Sequence, residues 1–254
     1  LKSWVLAVAV AWCACAGERL GALTVVAAPD GAAAEALATT GTSDGWTIQL
    51  ERALLAVQAV QASSPITDSG QVLNLLGASS VTLVQDALPV GSQPAIVFVV
   101  QAPQGVGPGG DPGFMSAHGY AVYVEGTAAR TGVTKAFHWG FSAATQHTCR
   151  PLQTVAGDPL TLSLTFDVTT LFLDDLVSPN PRLAFDLIAQ ADANGDGDVG
   201  EAELRSFDIS SQDRYQVGST RIDRLWDFLE YLAGDIGDLP GQSACSVETL
   251  SDTH

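Results

Sequence analysis

Basic residues are scarce: 254 residues carry only 11 Lys and Arg against 28 Asp and Glu, a formal net charge of −17. Acidic surface repels phosphate backbones, so such a chain is a poor candidate for binding nucleic acid. Long apolar runs are short too: the stretch from Trp4 to Trp12 falls well under the length needed to cross a bilayer. Cysteine is limited to four residues and histidine to four. The shortage of positive charge is also uneven. Up to Gly157 there are nine acids and six bases; from Asp158 onward there are nineteen and five. The last third is therefore an anionic segment, a composition suited to divalent cations.

The first sixteen residues read as a secretory signal. Lys2 supplies the charge, Trp4 to Trp12 the apolar core, and Ala14-Cys15-Ala16 a small-residue cleavage site before Gly17. A lipoprotein anchored through Cys15 is the alternative reading, and Trp12 and Cys13 fit it poorly. Removal of this segment takes Cys13 and Cys15 with it. Cys149 and Cys245 then remain, and in an oxidising compartment two remaining cysteines pair most simply with each other.

From Ala22 to about Leu176 the chain reads as short alternating strands with Gly- and Pro-rich connections. Trp46, Ile48 and Leu50 alternate; so do Phe137, Trp139 and Phe141. Further runs are 22–28, 80–84, 95–101, 120–125 and 160–168, and the ambiguous 53–62 reads as strand. Residues 104–113 read as a Gly/Pro loop. The expected architecture is mainly β: an antiparallel β-sandwich over residues 17–178, followed by a helical module over 179–254. In that module, a helix from Pro181 to Ala191, a second from Glu201 to Phe207 and a third from Thr220 to Leu232 are expected, the last with a Thr220/Asp223 cap.

Between the first two helices stands Asp-Ala-Asn-Gly-Asp-Gly-Asp-Val-Gly-Glu-Ala-Glu, residues 192–203. Oxygen-bearing side chains occupy positions one, three and five: Asp192, Asn194 and Asp196. Gly197 at six permits a sharp turn at positive φ. Asp198 at seven offers its backbone carbonyl, Val199 at eight is apolar, and Gly200 at nine leaves room for water. Glu203 at twelve can ligate with both carboxylate oxygens. This spacing resembles the EF-hand family over about residues 181–208, and the resemblance implies calcium bound by seven or so oxygens. EF-hands usually pair, whereas this chain has one loop; without a partner's short β-contact its affinity is expected to be modest. Calcium outside the cell is steady, so the ion is expected to be structural.

Other patterns compete with this reading. Gly41-Thr-Ser-Asp-Gly45 matches a nucleophile elbow as a string, but a strand is expected after it where the elbow needs a helix, so it reads as a turn. Gly105 to Gly110 matches G-x-G-x-x-G, yet its prolines and the lack of an expected helix remove the phosphate-binding geometry. His118, His138 and His147 lie near one expected hairpin and form an alternative copper or zinc site, although isolated histidines are usually surface residues. Asp174-Asp175 reads as a solvated pair, leaving a hydrolase as the last alternative.

A looser resemblance covers most of the mature chain. Asp44-Gly-Trp-Thr-Ile, the 126–140 hairpin with Phe137-His-Trp, and Leu171-Phe-Leu-Asp-Asp-Leu176 are similar to uncharacterised secreted bacterial proteins related to the copper-binding domain of methanobactin-partner proteins. That resemblance implies histidines just before the Leu-Phe segment and beside the last cysteine. This chain has Asp167, Thr170 and Ala244 thereabouts, a departure from the implied metal site. The composite expectation is a secreted or envelope calcium-binding protein that is not an enzyme, with transition-metal binding as the alternative.

Overall fold

The computed structural model describes residues 18–62, 70–77, 79–105, 109–239 and 245–250. The expected signal segment 1–16, with Cys13 and Cys15, lies outside them, as does Ala244. The described chain is mainly β. A small sheet joins β1 (Leu20–Pro29), β4 (Val81–Pro89) and β9 (Leu160–Phe166) in the order β4-β1-β9. A larger sheet is built from β2 (Thr47–Gln61), β3 (Gln71–Asn74), β5 (Ile96–Val100), β6 (Val122–Arg130), β7 (Val133–Phe141), β8 (Thr145–Cys149), β10 (Asp198–Val199) and β11 (Ser246–Thr249). Its order is β10-β7-β6-β2-β5-β8-β11, with β3 beside β2.

These sheets are mixed, which corrects the antiparallel expectation. β9 runs parallel to β1, from Leu23 opposite Leu160 to Pro29 opposite Phe166, and β10 runs parallel to β7. Alternation of apolar residues identifies which face of a strand is buried and carries nothing about the direction of its neighbour. The 53–62 segment is strand, as read, and is the last two-thirds of β2. The register of β2 slips between Gln58 and Gln61, where Ala59 adopts a positive φ of 48°.

Among the described residues, five α-helices punctuate the strands. α1 (Gly31–Thr39) is Ala-rich, begins where Asp30 accepts the Ala33 N–H at 3.0 Å, and buries Ala34 and Leu37. α2 (Gly110–His118) replaces the end of the expected Gly/Pro loop. Pro112 falls within its first turn, where a missing N–H is harmless, and Gly119 ends it at φ 69°. The remaining three helices, α3 (Asp186–Gln190), α4 (Glu201–Ser206) and α5 (Leu225–Gly234), are shorter than expected or displaced.

Tertiary contacts explain both changes. The stretch before α3 stays extended because Leu173 bridges to Leu183, and Leu183 O accepts from both the N–H and hydroxyl of Ser43. The Asp44 carboxylate then takes the N–H groups of Phe185 and Asp186, each at 2.8 Å, so α3 can start only there. Likewise residues 220–224 do not join α5: Asp208 bridges to Arg224, and Ile209 N–H bonds to Asp223 O at 3.0 Å. The expected separate C-terminal helical module is thus not formed: β10 and β11, from the same region, join the larger sheet.

One hydrophobic cluster runs through both sheets, α1, α3, α4 and α5, while Met115 of α2 packs in a smaller one with Leu54, Ala56 and Tyr123. Phe137, Trp139 and Phe172 meet Phe185, Ile188, Val199 and Leu204, while Phe141 stacks on Trp226 at 4.8 Å. Full burial of each such large side chain contributes about 2–3 kcal/mol. Consequently the acidic loop is mounted on a rigid apolar base. The expected covalent tie is present: Cys149 on β8 and Cys245 just before β11 form a disulfide.

Candidate functional site

Residues 192–203 emerge from α3, graze the edge of β7 and enter α4. Val199 at position eight is fully buried and pairs with Phe137, while Asp198 pairs with Ala136. Ala136 N–H donates to Gly197 O at 2.8 Å, and the Trp139 indole N–H donates to Val199 O at 2.8 Å. Carbonyls alternate sides along an extended segment, so the Asp198 carbonyl turns away from β7. The sheet edge therefore supplies the short β-contact that a single loop was expected to lack.

The side chains fold over this backbone. The Asp192 side chain is withdrawn from solvent; its Oδ1 accepts the Gly195 N–H at 2.7 Å and its Oδ2 the Gly197 N–H at 3.0 Å. Oδ2 also accepts from the ammonium of Lys135, a β7 residue whose side chain is only 16% exposed. The Lys135 hydrogen bond, ahead of the two backbone bonds, holds the Asp192 carboxyl below the usual carboxylate range. Asn194 Oδ1 accepts from Asp196 N–H at 2.7 Å, and Asp196 Oδ1 from Asp198 N–H at 2.8 Å. Gly195 and Gly197 have φ of 74° and 87°, the left-handed region that this winding requires.

Glu203 stands at the third position of α4 and caps the start of that helix. Its Oε2 accepts the Gly200 N–H at 3.1 Å, while its Oε1 is buried with no hydrogen-bond partner. The Asp198 Oδ1 is likewise buried and without such a bond, with His138 Nδ1 3.5 Å away. Buried acceptors without donors are unfavourable unless an ion or water reaches them. This donor set is all oxygen, which suits a hard cation. In the arrangement described, the carboxylates face their own backbone and Lys135. Among the described residues, no three His, Cys, Asp or Glu side chains are gathered as a group able to hold a metal ion.

The three histidines occupy different surroundings. His118 ends α2 and stacks on Tyr120 at 5.3 Å. His138 is largely exposed, as its alternation with Phe137 and Trp139 suggested. His147 is the exception to the surface expectation: it is fully buried on β8, stacked 4.4 Å from Phe98, with its Nε2 3.3 Å from Thr145 Oγ1. Burial lowers its pKa to about 4. Its position two residues from buried Cys149 carried the signal, because Thr145, His147 and Cys149 share the buried face of β8.

The remaining motifs resolve as structure. Residues 41–45 form a turn preceded by α1 and followed by β2, the reverse of the elbow's order, and the Ser43 hydroxyl donates to Leu183 O. Asp174 is not solvated; it is buried against Arg214 and accepts the Arg182 N–H at 2.8 Å. α2 does follow the glycine-rich segment 105–110, contrary to expectation, although its N-cap Gly109 offers no side chain. Away from the loop, a cleft of about 270 Å³ between α5 and β11 contains Glu230 and Asp235, whose carboxyls are pushed up by burial. No helix among the described residues is long and apolar enough to cross a membrane. No family model, no curated protein and no solved structure matches this chain.

Proposed function

We propose that this chain is a calcium-binding protein, with one ion held in the 192–203 loop by Asp192, Asn194, Asp196, the Asp198 carbonyl and the Glu203 carboxylate. The observation that carries this reading is the buried, donor-free Oε1 of Glu203 at the residue where an oxygen ligand is required. The left-handed glycines at 195 and 197 and the seating of Val199 on β7 support it. Calcium supplies positive charge to a loop with five carboxylates within twelve residues, and so acts as a structural tie between α3, α4 and the sheet edge. The Cys149–Cys245 disulfide favours an oxidising compartment, where millimolar calcium is available. Secretion or residence in a bacterial envelope is the location proposed.

Thermal melting with calcium and with chelator tests this function. A site with a Kd near 0.1 mM would stabilise the fold by about 1.8 kcal/mol at about 2 mM calcium. Melting should rise with calcium and fall back with chelator, and Asp192→Ala should abolish the difference. A wild-type melting curve indifferent to both additions would overturn the reading.

A further inference from the structure

The Lys135 ammonium lies on the first ligand of the proposed loop, and this cation comes from the sheet, outside the motif itself. We propose that Lys135 is the affinity-setting residue of the calcium site, an internal cation that competes with calcium for the Asp192 carboxylate. The inference rests on the calcium-binding reading above. Both groups are largely withdrawn from water, so their attraction is poorly screened. Lys135 also belongs to the strand that anchors the loop, one residue before Ala136, whose N–H bonds Gly197 O. Its ammonium is therefore held at the loop by the same seam that shapes the site.

Two physical effects act in the same direction. If calcium takes Asp192, the lysine must give up a charge-assisted hydrogen bond. If the lysine stays, a positive charge remains beside a divalent cation. Either route opposes binding. Without calcium, by contrast, Lys135 neutralises a carboxylate that would otherwise have only the Gly195 and Gly197 N–H groups to stabilise its charge. The loop thus keeps its shape when calcium is scarce and takes calcium only at the high concentrations typical outside cells. The Lys135 contact tunes the threshold of the site without being one of its ligands.

Calorimetric titration of the full exported chain with calcium chloride, in wild type, Lys135→Gln and Lys135→Arg, tests this assignment. Lys135→Gln keeps a donor for Asp192 and removes the charge; it should bind calcium about tenfold more tightly. Lys135→Arg keeps the charge and should stay within about threefold of wild type. Melting in chelator should be lower for Lys135→Gln than for wild type, and calcium should restore more of the difference. Equal or weaker binding by Lys135→Gln, with wild type binding calcium, overturns the competition and leaves the calcium reading standing. Equal tightening in Lys135→Arg and Lys135→Gln, or failure of Lys135→Gln to fold even in saturating calcium, also overturns it. Absence of binding in both wild type and Lys135→Gln overturns the calcium reading and this inference together.

Discussion

Glu203 and Asp198 stand five residues apart in one acidic loop, yet their proposed roles differ because one ligates through its side chain and the other through its backbone. Shortening the first, Glu203→Asp, pulls the carboxylate back and favours single-oxygen contact. Calcium, which accommodates seven oxygens near 2.4 Å, should lose more affinity than magnesium, which takes six near 2.1 Å. Asp198→Ala should change calcium binding by no more than about threefold, the effect of one screened charge. Parallel titrations with the two ions check this pair; an equal loss from both variants would mean that general acidity, and not the drawn coordination, attracts the ion. The turn of the loop was legible in the sequence, since Gly197 takes a positive φ and Val199 is buried as their positions suggested. Lys135 was not, since its contact joins residues 57 apart in sequence.

His147 gives a second prediction at the same scale. It is neutral in the folded state down to about pH 4, whereas in the unfolded chain it takes a proton near pH 6.5. The unfolded state therefore binds more protons between those values, and stability falls as pH drops through that window. The full effect is about 3 kcal/mol. Glu230 and Asp235 act in the opposite sense: their raised carboxyls give stability at low pH that is lost as pH rises. The comparison with His147→Gln isolates the histidine. Denaturant titrations at pH 7 and pH 4.5 should show a smaller acid loss in the variant; an identical loss would show that His147 is not held neutral.

At the scale of elements, the β10–β7 seam connects the loop to the core. Val199→Ala should destabilise the fold by about 2 kcal/mol through lost burial and an incompletely filled cavity. It should also weaken calcium binding, because the backbone that aims the Asp198 carbonyl is set by that seam. Chemical denaturation with and without calcium measures both effects; destabilisation with unaltered calcium affinity would separate the seam from the site. Strands were readable wherever apolar residues alternated over a buried face, as at Trp46–Leu50 and Phe137–Phe141. Their directions were not, because parallel pairs such as β1–β9 depend on chain paths more than 130 residues long. Helix starts were misplaced for a related reason. Asp44 fixes the beginning of α3 from the far end of the chain, and the Asp208–Arg224 bridge delays α5.

For the whole molecule, the disulfide and the proposed ion act at separate places on one core. Cys149 and Cys245 are 96 residues apart in sequence. Removing both, as Cys149→Ala with Cys245→Ala, should cost about 2–4 kcal/mol through the freed unfolded chain. Calcium affinity should remain near wild type, since neither cysteine contacts the loop. This pairing was legible from cysteine arithmetic alone, whereas the mixed architecture required the long-range pairings. The central claim, one calcium ion in the 192–203 loop, is tested most directly by calorimetric titration of the purified protein with calcium, beside Asp192→Ala. The account predicts one ion per chain with a Kd on the order of 0.1–1 mM, and its loss in the variant. No saturable binding at up to about 10 mM calcium, or undiminished binding in Asp192→Ala, would contradict it.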